Sequence, residues 1–293
     1  MLYDKIFFKT GAHFLSIVVE SAKISHMRII DAHVHIYPDV IADKAIEGIS
    51  KFYDGIVMQN SGKVCDLVET MRQSGIDKAV VCSVATSKKQ VSRINDFMAL
   101  QLQRKELHPL ATLHPDMDRY EIIDEVARIK AMGLKGIKLH PDCQSFKLNG
   151  ERGLRLFDAI SDFDLPILVH TGDKRFDYSH PKYMVEIARD YPDIRFIAAH
   201  FGGWSEWEDA LRYKGLKNVW FDTSSTLYQL DGQIAKSVLF SLGIDRFMFG
   251  TDYPMWNCSE EIQRIFDLDL GEKNNELVFH KNAESLFAID SCE

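Results

Sequence analysis

The sequence predicts a single-domain α/β fold, a (β/α)8 TIM barrel, on three observations. Short apolar runs rich in β-branched residues alternate with longer amphipathic stretches, there are eight of each, and several of the short runs are apolar at both parities. A strand whose residues are apolar at both parities is buried on both faces, as in a parallel sheet covered by helices. The strands read at 28–33, 78–84, 108–113, 134–139, 166–170, 195–199, 218–222 and 246–250. Helical periodicity falls at 63–74, 88–105, 119–132, 151–162, 181–190, 204–213, 231–242 and 258–269, with a terminal helix at 274–287. Gly75, Gly133, Gly215 and Gly243 follow four of these helices, where a left-handed closing residue is wanted.

An open doubly wound sheet has fewer units at this length, and its nucleotide-binding signatures are missing. No GxGxxG or GxxxxGK[ST] follows a strand; Gly202-Gly203 stands without the remaining glycines. No low-complexity or Pro/Gly-rich linker divides the chain. The longest unassigned connection, residues 36–60, is expected to shape a pocket at the barrel mouth. Residues 1–26 are expected to be a peripheral extension or the product of an upstream start. Their apolar stretch is broken by Ser16 and ends in Glu20, unlike a signal sequence, and the first core strand begins just after Met27.

With 293 residues, 46% hydrophobic and 27% charged, the chain can bury a full core. A net charge of −8 and no long run of like charges argue against nucleic acid or anionic membrane as partners. No stretch reaches the ~18 apolar residues of a membrane span. Five cysteines without a CxxC spacing fit reduced thiols, so a cytoplasmic location is expected. A small-molecule substrate is the expected partner, with a homodimer as the default assembly.

Histidine placement carries the functional signal. Of eleven histidines, six fall at the exits of predicted strands: His33 and His35, His114, His140, His170 and His200. In a barrel those exits form the C-terminal mouth, where active sites are built. His33 and His35, two apart on a strand, are expected to point to the same face and toward the barrel axis, where they can chelate one ion. His170 and Asp252, the latter in Gly250-Thr-Asp-Tyr-Pro254, add a third imidazole and a carboxylate. Any one of these histidines reads equally well as a hydrogen-bonded core residue, and Asp252 as a turn or helix cap. An ordinary core has no reason to collect all of them on one rim.

The motifs resemble those of the amidohydrolase superfamily, in its amidohydrolase-related branch. Asp31-Ala-His33-Val-His35 resembles the strand-one HxH motif, Gly136-Ile-Lys138-Leu-His140-Pro141 the strand-four segment and Val169-His170 the strand-five ligand. Ala199-His200-Phe-Gly-Gly203, Gly250-Thr-Asp252-Tyr-Pro254 and Asn282-Ala-Glu-Ser-Leu-Phe287 are likewise similar to family signatures. The resemblance implies one divalent metal per chain, zinc before manganese, cobalt or iron, held by His33, His35, His170 and Asp252. It implies His200 as an acid/base group, with Asp252 sharing in proton transfer. Lys138 takes either the place of a carboxylated lysine bridging two metals or that of a partner for a substrate carboxylate. His140, His114, Arg175 and Trp256 are the substrate-contact candidates.

The main expectation is hydrolysis of a small amide, ester or lactone by water activated at the metal. The alternatives are non-oxidative decarboxylation of an aromatic or unsaturated carboxylic acid, or a catalytically silent barrel that binds a small molecule. A related metal-dependent nuclease of the TatD type departs at Lys138, where that family usually carries glutamate.

Overall fold

A computed structural model describes residues 27–290; the expected extension over residues 1–26 lies outside them. Eight parallel strands are present among the described residues. They are β1 (Ile30–His35), β2 (Lys78–Cys82), β3 (Leu107–Pro109, continuing past Leu110 as Ala111–Thr112), β4 (Ile137–Leu139), β5 (Ile167–Val169), β6 (Phe196–Ala198), β7 (Val219–Asp222) and β8 (Phe247–Met248). Each pairs in parallel with the next. The break in β3 is bridged by Leu110, whose N–H donates to Val81 O at 2.8 Å. Closure comes from the segment after β8: Ala32 N donates to Phe249 O (2.8 Å), Asp252 N to His33 O (2.9 Å) and His35 N to Tyr253 O (2.7 Å). The fold is the expected TIM barrel.

Side-chain alternation divides the core in two. Ile30, Ala32, Val80, Leu168, Ile197 and Met248 pack with one another inside the barrel. Ile137, Ile167, Phe196, Val219 and Phe247 point outward into the layer shared with the helices. The interior is capped at the strand-entering end by Ala283, Leu286 and Phe287 of the terminal helix Asn282–Phe287. Arg28 pairs with Glu284 there at 3.2 Å.

Several helices begin and end where local chemistry dictates. Asp118 and Glu121 form a reciprocal capping box at the start of Arg119–Met132, and Gly133 closes that helix at φ 86°. Two expectations need correction. The 36–60 connection holds a helix, Asp39–Phe52, of which only Ala42 is buried; its apolar residues cover a cavity rather than the core, so their periodicity gives a weak core signal. Residues 204–213 form no α-helix; Trp207–Tyr213 is a 3-10 segment.

Glu261, in the helix Cys258–Asp267, is 2% exposed, and burial raises its carboxyl to about 7 although Arg264 Nε lies 3.0 Å from it. Below its ordinary value of 4.5 both folded and unfolded chains hold the proton. Between about pH 4.5 and 7 only the folded chain keeps it, so stability falls as pH rises through that window. Glu261→Gln is expected to remove that slope, worth on the order of 1–3 kcal/mol, in urea unfolding across the same range. An unchanged slope would refute the assignment.

Candidate metal centre

Barrel closure builds the site. The register between β1 and β2 slips between Asp31 and Val34, a bulge that places one extra residue in β1. Ile30 and Ala32 face the interior before it and His33 and His35 after it, while Asp31 turns outward to bind Thr251 N and Oγ1 (3.0 and 2.5 Å). The close packing of β1 on β8 requires Gly250, where a Cβ would lie 3.1 Å from His33 Cβ. Two residues later Asp252 adopts φ 57°, and His200 likewise sits at φ 60°. Left-handed backbone at non-glycine positions concentrates at functional sites.

At the floor of the mouth His33 Nε2 lies 3.2 Å from His35 Nε2, while Asp252 Oδ1 lies 3.7 Å from the first and 3.4 Å from the second. Lys138 Nζ, fully buried, is 2.9 Å from His33 Nε2. The partners assign the ring tautomers. Asp222 Oδ2 accepts from His33 Nδ1 (3.0 Å), leaving the His33 Nε2 lone pair toward the cavity. Ser224 donates to Asp222 Oδ1 (2.5 Å), so its oxygen accepts from His200 Nδ1 (2.9 Å). His200 Nε2 then accepts from His170 Nδ1 (3.0 Å), which leaves His170 Nε2 as a buried lone pair with no hydrogen-bond partner.

Charge preferences agree with that assignment. Burial and the Lys138 charge push His33 down to about 4. Burial lowers His140, His170, His200 and Lys138 as well, favouring neutral rings and a less basic amine. His35 goes the other way: burial opposes its charge, but Cys82, with Sγ 3.6 Å from Nδ1, and Asp252 outweigh burial and raise it to about 9. Burial likewise opposes ionisation of Asp252, yet the hydrogen bond to His35 and the charges of His33 and His200 hold its carboxyl well below the usual range. Without an ion, His35 is thus the protonated ring and Asp252 its counter-charge, so a divalent cation would displace that proton and take its place between two imidazole nitrogens and a carboxylate. Neutral imidazoles with lone pairs turned inward are the state in which histidine binds metal.

His170 stands on the far side of His200, whose ring contacts both His33 and His170 at 5.1 and 4.8 Å between centroids. It stacks on His140 at 3.9 Å and forms a second buried group with His140 and Asp142. Three of the four expected ligands thus converge within 3.7 Å, and the fourth joins them through His200.

A cavity of about 890 Å³ rises from this floor, and His33, His35, Lys138, His140, His170, His200 and Asp252 all line it. Three substrate-contact candidates lie outside its wall. His114 accepts from Asp116 N at 3.2 Å. The Arg175 guanidinium is committed to Asp173 (2.7 and 3.0 Å) and Phe52 O (2.6 Å), inside a ring of Phe52, Tyr53, Phe176 and Trp204. Trp256 Nε1 donates to Ser225 Oγ (2.7 Å), which in turn donates to Asp252 Oδ2 (2.6 Å). Their sequence positions after the strands were right for a mouth loop, but ion pairing and hydrogen bonding turn the side chains away.

The sequence profile of the amidohydrolase family matches residues 30–289, which is nearly the whole described chain. The chain belongs to the amidohydrolase family. Among curated proteins no relative matches this amidohydrolase. Its barrel is similar to 5-carboxyvanillate decarboxylase from Sphingomonas paucimobilis (TM-score 0.72, 15% identity, covering 90% of this chain and 100% of that one). It is similar to a dihydroxybenzoic acid decarboxylase from Polaromonas sp. with bound manganese (TM-score 0.69, 15% identity, 91% and 98% covered). A probable 2-pyrone-4,6-dicarboxylic acid hydrolase from Acinetobacter baumannii is also similar (TM-score 0.65, 16% identity, 89% and 100% covered). At these identities the likeness shows the fold.

Sequence reasoning missed Asp222, Ser224, Tyr53 and Cys82 in this amidohydrolase. Asp222 ends β7 on the same rim as the histidines, so strand position was an available signal for it. Tyr53 follows the unforeseen helix and its hydroxyl meets His140 Nε2 at 3.0 Å. Asp222 fixes the His33 tautomer, as carboxylates behind metal-binding histidines do. Asp222→Asn is expected to weaken binding of a divalent ion by about 10- to 100-fold, read by competition with a chelating dye. Affinity within twofold of the unaltered protein would show that His33 needs no such support.

Proposed function

We propose that this amidohydrolase is a metal-dependent, non-oxidative decarboxylase of an aromatic or unsaturated carboxylic acid. The observation that carries this reading is the buried Lys138 amine beside the imidazole cluster, at the floor of a cavity lined by a single carboxylate, Asp252, among the described residues. Such a floor receives a carboxylate, and the apolar wall above it favours a transition state in which that charge disperses. The decarboxylase activity of the structurally similar proteins from S. paucimobilis and Polaromonas supports decarboxylation over the hydrolysis first expected, with the A. baumannii protein on the other side.

His33, His35 and Asp252 would hold one divalent ion, zinc or manganese, and His170 would join them by turning from His200. Bound there, the ion would supply Lewis-acid polarisation of the substrate's oxygens. The chain's own groups do the rest. Lys138 pairs with the substrate carboxylate and orients it. The C–C bond to that carboxylate breaks, its electron pair stays on the substrate carbon, and carbon dioxide leaves. The carbon then takes a proton, for which His200 is the carrier: Nδ1 is held by Ser224, and Nε2, once released from His170 Nδ1, takes up a proton and returns it. Burial lowers the basicity of His200, which favours release of that proton to the carbon.

The test is a product assay. Manganese- or zinc-loaded protein is incubated with a panel of aromatic and unsaturated acids and, separately, of amides, esters and lactones. Carbon dioxide release from an acid is the expected result, with about one metal per chain. Turnover of a lactone, ester or amide without carbon dioxide would restore the hydrolytic reading, and two metals per chain would return Lys138 to a bridging role.

A further inference from the structure

The cavity wall is cationic in an acidic protein. Against a net charge of −8 for the chain, the wall carries Lys44, Lys89, Arg93 and Lys138 with Asp252 as the one carboxylate among the described residues. Lys138 is buried at the floor and belongs to the site already described. The other three are exposed and stand where the cavity opens to solvent. Lys44 comes from the helix Asp39–Phe52, whereas Lys89 and Arg93, four residues apart, share one face of the segment leading into the helix Val91–Leu100.

Cations next to them are neutralised. Lys88 pairs with Glu121 at 2.7 Å, Lys63 with Asp43 at 3.3 Å and Arg128 with Asp96 at 2.5 Å. Lys44, Lys89 and Arg93 make no ion pair or side-chain hydrogen bond with any described residue. The same cavity wall carries apolar side chains that include Ile41, Ile49, Ile94 and Phe97. At about 890 Å³ the space suits a drug-sized body rather than a single small acid.

On the decarboxylase reading, we propose that Lys44, Lys89 and Arg93 form a second anion subsite at the cavity rim, so that the substrate is an elongated amphipathic acid with negative groups at both ends. One carboxylate enters beside Lys138 and is lost. The apolar body lies along the Ile41–Phe97 wall, and the distal anion stays at the rim. Like charges at one opening, with the carboxylate near Lys44, Glu47, already paired with Lys51 at 2.5 Å, attract an anion from solution, and two separated contacts fix the length of ligand that fits.

The test is equilibrium binding, independent of turnover. Manganese-loaded protein is titrated calorimetrically with isophthalate, naphthalene dicarboxylate and biphenyl dicarboxylate, each against its matching monocarboxylate. The dianion of best-fitting length is expected to bind about tenfold more tightly than its monoanion. Lys44→Gln, Lys89→Gln and Arg93→Gln together should bring that ratio close to unity and leave monoanion binding unchanged. All three are surface residues, so the fold tolerates the change. Equal binding of the paired acids at every length, or a preference that survives the three substitutions, overturns the subsite. Carbon dioxide release from monoacids without a dianion preference would refute the rim alone. A dianion preference lost in the triple variant, without carbon dioxide release, would refute the decarboxylase chemistry alone.

Discussion

Asp252→Asn is expected to reduce kcat/KM by about three orders of magnitude or more, with loss of bound metal and little change in thermal stability. The substitution isolates charge. Asparagine tolerates the left-handed backbone that Asp252 adopts at φ 57°, and it retains an oxygen to accept from Ser225 Oγ. What it cannot supply is the negative charge that sits 3.4 Å from His35 Nε2 and 3.7 Å from His33 Nε2. Without that charge the two rings have less reason to gather a cation between them, and His35 loses one of the groups that raise it to about 9. Metal content by emission spectroscopy, kinetics at saturating added metal, and the melting curve separate the outcomes. A variant that keeps its metal and more than a tenth of its activity would remove Asp252 from the centre.

How much of this was legible in the sequence depends on which force fixed each feature. The barrel was readable because burial on both faces of a parallel strand leaves an apolar run, as in Lys78–Cys82, and because capping residues such as Asp118 and Gly133 act locally. The convergence of β1 and β8 was readable from the motif positions, since barrel closure makes first and last strands neighbours. That His33 and His35 share a face was also readable; that this face is the interior was not a matter of alternation. Counting from Ile30 and Ala32 puts both histidines on the outer side, and only the bulge after Asp31 turns them in. A bulge is set by the register against β2 and by the Asp31–Thr251 hydrogen bonds, neither of which a local pattern contains. Arg175 and Trp256 lie outside the cavity wall for a related reason. Their positions were right, but the choice between facing the cavity and pairing with Asp173 or Ser225 is made by tertiary partners. The helix Asp39–Phe52 escaped because its apolar side, which faces the cavity and solvent at Val40 and Ile41, lacks the core burial that gives other helices their contrast.

The second large effect separates proton handling from metal binding. His200→Asn is expected to lower kcat by about 100- to 10,000-fold while metal content and KM stay near those of the unaltered protein. His200 lies at φ 60°, where asparagine is tolerated, and the amide can still donate to Ser224 O or Oγ as His200 Nδ1 does at 3.2 and 2.9 Å. The ring's other nitrogen has no substitute. The ring lines the same cavity as Lys138, and Nε2, 3.0 Å from His170 Nδ1, exchanges a proton with substrate once that hydrogen bond is released. An amide at that place does not titrate. The split between the two variants is therefore the diagnostic: Asp252→Asn loses metal and turnover together, whereas His200→Asn loses turnover with the metal in place. If His200→Asn also empties the centre, His200 is a ligand and the proton must come from elsewhere in the wall. If it leaves kcat within tenfold, carbon protonation draws directly on solvent, and the Ser224–His200–His170 chain is structural.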